Sequence, residues 1–116
     1  MSSFEFGNCL IPHPDKADRG GEDALFTSDE MNALGVSDGV GGWYFRGVNP
    51  GIYARELMRL TEVAIQAGQR DPVKALRQAY EGNKERGTAT ACVALLDDGR
   101  LNSVNVGDSG FIIIHE

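Results

Sequence analysis

Two short stretches place carboxylates beside glycine: Gly20-Gly21-Glu22-Asp23 and Ser37-Asp38-Gly39. Acidic residues at the ends of neighbouring strands are a natural way to hold a hard divalent cation, because Mg²⁺ and Mn²⁺ take oxygen ligands and keep several waters. Glu22, Asp23 and Asp38 supply such a set, and Gly39, lacking a side chain, can bring its carbonyl close to an ion. The same residues also serve as ordinary turn carboxylates, since Asp-Gly and Glu-Asp commonly punctuate loops. On spacing alone the turn reading is favoured.

Other residues offer less. The glycine-rich run 39–42, "GVGG", could cradle a phosphate with its backbone N–H groups. It lacks the lysine of a P-loop and the spacing of a dinucleotide fingerprint, and Asp38 would repel a phosphate unless a cation stood between them. "GTATAC" (87–92) has no nearby histidine to activate a nucleophile, and its alternation of Thr and Ala suits a buried strand of small residues. His13 lies in a proline-flanked loop and His115 near the last residue, neither with an evident acid or base partner. Trp43 and Tyr44 read as a hydrophobic lid on the fold rather than a substrate platform.

Several elements must position these groups. Phe4, Phe6 and Leu10 share one parity and suggest a half-buried strand over 3–11, stopped by the prolines of "IPHP". "EDALFTSD" and "NALGVSDG" read as two more short strands, the second ending at Asp38. Asn49-Pro50 is an N-cap and first-turn pair, and Ile52, Tyr53, Leu57, Leu60 and Ala64 recur at helical spacing up to a stop at Gly68. Asp71-Pro72 repeats the cap, with Val73, Leu76, Ala79 and Tyr80 marking a second helix that ends near Arg86. The remainder is β-branched, with turn signals at Asp98-Gly99 and at 107–110, and predicts three antiparallel strands over 88–96, 101–106 and 110–115. Strands, two helices and a meander make an α+β class with helices packed on an antiparallel sheet.

The chain has 116 residues, room for a single domain. With 17 acidic against 11 basic residues and no Lys/Arg cluster, it offers no footprint for nucleic acid. No apolar run reaches the length of a membrane span, and the first residues carry no signal or Arg-rich transit pattern. Cys9 and Cys92 lack metal-ligand spacing, so both are expected to be free, buried thiols in a reducing compartment. The apolar "FIIIH" at the end would be a sticky edge if nothing covered it, which gives the impression of a chain cut short and predicts self-association through that strand.

Taken in order, "GGEDALF", "LGVSDGVGGW", "GVNPGIYARELM", "GTATACVALL" and "NVGDSGFIII" resemble the amino-terminal half of the metal-dependent protein serine/threonine phosphatases of type 2C. The resemblance runs through most of the chain and is strongest toward the branch found in mitochondria and plastids, which reads "PHP", "GGEDA", "GVADGVGGW" and "GDSGF". Five ordered stretches are much more specific than one glycine loop, and they turn the balance toward a metal site.

The resemblance implies an αββα sandwich of two antiparallel sheets flanked by helices, of which 1–116 would be one partial domain. It implies two Mn²⁺ or Mg²⁺ ions, with Asp38 bridging both, Gly39 giving its carbonyl, and Glu22 holding one ion directly or through water. Asp23 and Asp108 would stand in the layer behind these ligands. The implied substrates are phosphoserine and phosphothreonine in proteins, hydrolysed by metal-bound water with no phosphoenzyme, and the implied location is a mitochondrion or plastid. Three departures accompany it. Val40 stands where many members have a histidine, so a general acid is missing. The phosphate-gripping arginine has no counterpart in register, Arg19 and Lys16 being the nearest cations. Two further aspartates that complete the metal site in the family would fall beyond Glu116, so these residues alone are expected to be weakly active or inactive, or to act as a non-catalytic binding module.

Overall fold

In a computed structural model, which describes residues 4–114, one antiparallel sheet is backed on one face by two helices. The strands are β1 (Asp23–Ser28), β2 (Ala33–Asp38), β3 (Ala91–Asp97) and β4 (Arg100–Val106), in the spatial order β1-β2-β3-β4. The helices α1 (Pro50–Gln66) and α2 (Pro72–Gly82) fall between β2 and β3. Each neighbouring pair of strands is antiparallel, and the α+β class is as the sequence predicts.

Local chemistry explains the elements. The Asn49 side chain accepts from Gly51 N at 3.0 Å, with Pro50 opening α1, and Asp71 accepts from Val73 N at 2.9 Å to start α2. Asp98 and Gly99 both take positive φ, the two-residue turn that matches the twist of a hairpin. Alternation along β1, β2 and β3 sends Phe26, Ala33, Val93 and Leu95 toward the helices, where they meet Tyr53, Leu57, Met58 and Ile65. The paired residues Leu25, Val36 and Cys92 share the opposite face of the sheet. A Cβ on Gly35 would lie 2.4 Å from the Phe26 ring, so that position must be bare for the aromatic to pack.

Several expectations are corrected. Residues 4–10 form no strand; the Phe4 N–H is taken by the Asn32 side chain at 3.1 Å instead of by a ladder. Residues 110–114 also lack strand pairing, and Phe111, Ile112, Ile113 and Ile114 are exposed, because an apolar run makes a strand only when a partner supplies the ladder; residue 115 lies outside the described residues. Helix α2 ends at Gly82, short of Arg86. Asn83 turns extended there, donating to Tyr53 O at 3.2 Å and accepting from Glu85 N at 3.0 Å. Of the predicted apolar stripes, Ile52, Val73 and Tyr80 face outward, while Ala75 and Met58 are buried. Both cysteines are free, but only Cys92 is buried; Cys9 is exposed. Among the described residues, no helix is long and apolar enough to cross a membrane.

Candidate functional site

The open end of the β1–β2 hairpin carries the predicted carboxylates. Asp23 and Asp38 are direct register partners across it, and Gly39 N donates to Glu22 O at 2.8 Å just beyond the ladder. One hairpin thus delivers both acidic stretches to the same point. Burial first, then a hydrogen bond with Asp23 and the negative charges of Asp23, Asp108 and Glu22, raise the Asp38 carboxyl above its ordinary range. The fourth carboxylate, Asp108, comes from the turn after β4, so residues distant in sequence act on one group.

Gly39 is required by close approach. A Cβ there would sit 2.5 Å from Pro50 O and 2.8 Å from Glu22 O, so any larger residue would drive the end of β2 away from the start of α1. Gly51 plays the matching part on the helix, where a Cβ would lie 2.3 Å from Gly21 O. The loop bearing Glu22 is thereby pressed against the first turn of α1.

Glu22 is itself buried, 6% exposed, and its Oε1 accepts from Lys16 Nζ at 2.5 Å. Lys16 sits on a short 3-10 helix, Pro14–Arg19, capped by His13, whose Nδ1 accepts from Asp15 N at 3.1 Å. His13 thus has a structural task that the sequence left unassigned. Lys16 and Glu22 pack beneath the following loop, since a Cβ on Gly41 would come within 3.0 Å of Glu22 Oε1 and 3.3 Å of Lys16 Nζ. The Arg19 side chain lies outside the described residues. His115 does too.

The residues that sequence reasoning missed are Thr88 and Thr90, read there as filler of a small-residue strand. Thr90 N donates to Asp38 O at 2.9 Å, Asp38 N donates to Thr90 Oγ1 at 3.1 Å, and Ser37 Oγ donates to Thr90 O at 2.6 Å. The Thr90 hydroxyl also meets Ser109 Oγ at 2.6 Å, tying down the turn that carries Asp108. Thr88 O accepts from Val40 N at 2.9 Å, and its hydroxyl accepts from Trp43 Nε1 at 2.9 Å. These bonds explain why β3 begins only at Ala91: the preceding residues are spent on the site loop, with a single bridge between Ala89 and Gly39. The only legible signal was hydroxyl residues at alternate positions beside a glycine, which buried strands also show.

Trp43 and Tyr44 are not a lid over the core. They lie on a second 3-10 helix, Gly41–Arg46, that buries no residue; Trp43 is half-buried under Arg46, whose guanidinium lies 5.6 Å from the ring centroid, and Phe45 is 91% exposed. On the other side of the hairpin, a cleft of about 350 Å³ runs between Cys9, Leu10, Ile11 and the carboxylates Asp23 and Asp38.

The donor set is all oxygen, which suits Mg²⁺ or Mn²⁺. Among the described residues, no three Asp, Glu, His or Cys side chains are grouped closely enough to hold an ion by themselves. Mg²⁺ commonly binds through one or two carboxylates and waters, so the Asp38 carboxylate and the backbone at Gly39 fit such an ion as part of a site. Burial is the main reason Asp38 is raised, and the smaller part that comes from the charges of Asp23, Asp108 and Glu22 is what a dication would relieve.

Known proteins resemble this chain in sequence and in fold. No protein-family model matches the chain. The chain is 46% identical over 114 residues to "Probable protein phosphatase 2C 80" of Arabidopsis thaliana, and 47% identical over 113 residues to "Probable protein phosphatase 2C 55" of the same plant. Each match takes in 95% of this chain but 28% and 24% of the respective relative, so the chain spans about a quarter of their length. Among solved structures, the photosystem II phosphatase PBCP superposes with a TM-score of 0.81 at 40% identity, over 86% of this chain and 41% of that one. By sequence over nearly its whole length, and by the antiparallel sheet with its helices, the chain is homologous to a part of the type 2C protein phosphatases.

Proposed function

We propose that these residues form one side of the site of a metal-dependent phosphatase that hydrolyses phosphoserine and phosphothreonine in proteins. The observation that carries this reading is the pairing of Asp23 with Asp38 across the end of the hairpin, where burial first, then the bond with Asp23 and the charges of Asp23, Asp108 and Glu22, raise the Asp38 carboxyl. Asp38, the Gly39 carbonyl and Glu22 would hold Mn²⁺ or Mg²⁺, with Asp23 and Asp108 behind them. Bound there, a pair of such ions supplies a water acidified to hydroxide near neutral pH and a screen for the phosphoryl oxygens. The chain's own contribution is positional. Thr90 fixes the Asp38 backbone at both N–H and carbonyl, and Gly39 lets the strand end meet α1. Lys16, paired with Glu22, is one candidate to stand in for the family's phosphate-gripping arginine. Arg19 is the other candidate for that task. Val40 offers no proton, so the leaving oxygen takes its proton from another donor.

The absence of a three-ligand group among the described residues favours a second reading alongside the first: a phosphatase-like module that presents the surface and binds metal poorly. One experiment separates them. Hydrolysis of a chromogenic phosphate ester and of a phosphothreonine peptide is followed with Mn²⁺, with chelator, and in Asp38→Ala. Turnover that needs Mn²⁺ and vanishes in the variant supports the phosphatase; no turnover in any arm supports the module; equal turnover in all three overturns the metal chemistry. Phosphoproteins are the proposed partners. A plastid or mitochondrial setting rests on resemblance, and the plastid alternative gains support from a structural neighbour whose name ties it to photosystem II.

A further inference from the structure

We propose that Lys16 is the resident counter-ion of Glu22, and that a divalent cation loads by displacing it. The inference rests on the metal reading above and adds how that site is kept before metal arrives. A buried carboxylate needs a charge or donor partner, and Glu22, 6% exposed, has the Lys16 ammonium on Oε1 at 2.5 Å. The ammonium is part of the chain's own secondary structure, held by the His13-capped helix Pro14–Arg19. Its stem is flexible and the side chain is one-third exposed, so it can leave toward solvent without unfolding the loop. The carboxylate is fixed in comparison. Its backbone is bonded to Gly39, and Gly41 packs over Oε1 so closely that a methyl there would touch both partners.

Metal and ammonium therefore compete for one oxygen, and Glu22 never stands buried without a cation. In the metal-free chain Glu22 Oε1 is taken by Lys16 Nζ at 2.5 Å.

The test measures Mn²⁺ affinity by the electron paramagnetic resonance signal of free Mn²⁺, on the full chain, with no substrate. Lys16→Met is expected to tighten Mn²⁺ binding about tenfold, the factor that an ordinary charge-assisted hydrogen bond corresponds to. In a Glu22→Gln background the same Lys16→Met change is expected to have no effect, since the oxygen in dispute no longer carries charge. Lys16→Gln, which keeps a polar donor, serves where Lys16→Met does not fold. Weaker or unchanged binding in the Lys16 variants overturns the exchange and makes Lys16 a scaffold residue. Equal tightening in both backgrounds also overturns it, leaving plain repulsion through space. If neither wild type nor any variant binds Mn²⁺, the metal reading itself falls, whereas binding that Asp38→Ala abolishes and Lys16→Met leaves unchanged removes only the exchange.

Discussion

Thr90 and Asp38 exchange two hydrogen bonds, Asp38 N to Thr90 Oγ1 at 3.1 Å and Thr90 N to Asp38 O at 2.9 Å. Thr90, by its hydroxyl and its N–H together, thus does for the Asp38 backbone what a ladder would do for an ordinary strand residue. Its hydroxyl also reaches Ser109, so one side chain joins the turn carrying Asp108 to the strand carrying Asp38. Thr90→Val keeps the shape and deletes the hydroxyl. The expected result is a loss of about 0.5–1.5 kcal/mol in urea unfolding, the net worth of a hydrogen bond, together with weaker Mn²⁺ binding. Thr90→Ser is expected to restore most of both.

The raised Asp38 carboxyl makes stability depend on pH in a direction that can be worked out. An acid whose folded value lies above its unfolded one binds its proton more tightly in the folded chain. Its contribution is therefore favourable below the unfolded value, about 3.9, and is lost as the pH rises through the raised folded value. In chelator, Asp38→Asn is expected to be more stable than wild type at neutral pH, the difference shrinking to nothing toward the acid end of that window. Urea midpoints for both proteins across the acid range check this. A difference that grows toward acid would show that Asp38 is held as a favoured anion instead.

Far from the site, Arg70 locks the fold that presents it. Its guanidinium donates to Met31 O at 2.6 Å and to Asp97 Oδ1 at 2.8 Å, joining the segment between α1 and α2 to the β1–β2 turn and the end of β3. Arg70→Ala is expected to cost about 2–3 kcal/mol in urea unfolding, the scale of hydrogen bonds to charged groups, while far-ultraviolet circular dichroism well below the unfolding midpoint stays near wild type. Arg70→Lys should not rescue the loss, because an ammonium cannot reproduce the planar fork.

How much of this was legible in the sequence follows from what each residue needs. Caps, hairpin turns and the helical stripes are local, so Asn49, Asp71 and Asp98-Gly99 announce their elements at the right places. The acidic pair Glu22-Asp23 and Asp38 reads as a site only when resemblance orders it among other stretches, because a turn uses the same residues. Thr88, Thr90 and Lys16 were obscure for a different reason. Their partners lie across the fold, at 38, 40, 43, 109 and 22, and no local pattern states such a distance. The two expected strands that do not form over the described residues 4–11 and 110–114 show the converse: parity and β-branching describe a residue's fitness for a sheet, and a sheet also requires a neighbour.

That missing neighbour leads to the last prediction. Ile112 and Ile114 are 86% and 88% exposed in a run of four large apolar residues that follows β4, the last strand of the sheet. Exposed apolar surface next to an unpaired strand edge is the usual route to association between copies. The chain is therefore expected to show a mass that rises with concentration in light scattering. Ile112→Lys combined with Ile114→Lys is expected to return it to a monomer, since two like charges along the segment oppose both burial and pairing. The substitutions lie outside the buried core, so the unfolding midpoint should move little. A wild-type chain that stays monomeric at high concentration would rule out this route of association, and an association that survives both lysines would place the contact elsewhere, with the face of Leu25 and Val36 as the next surface to alter.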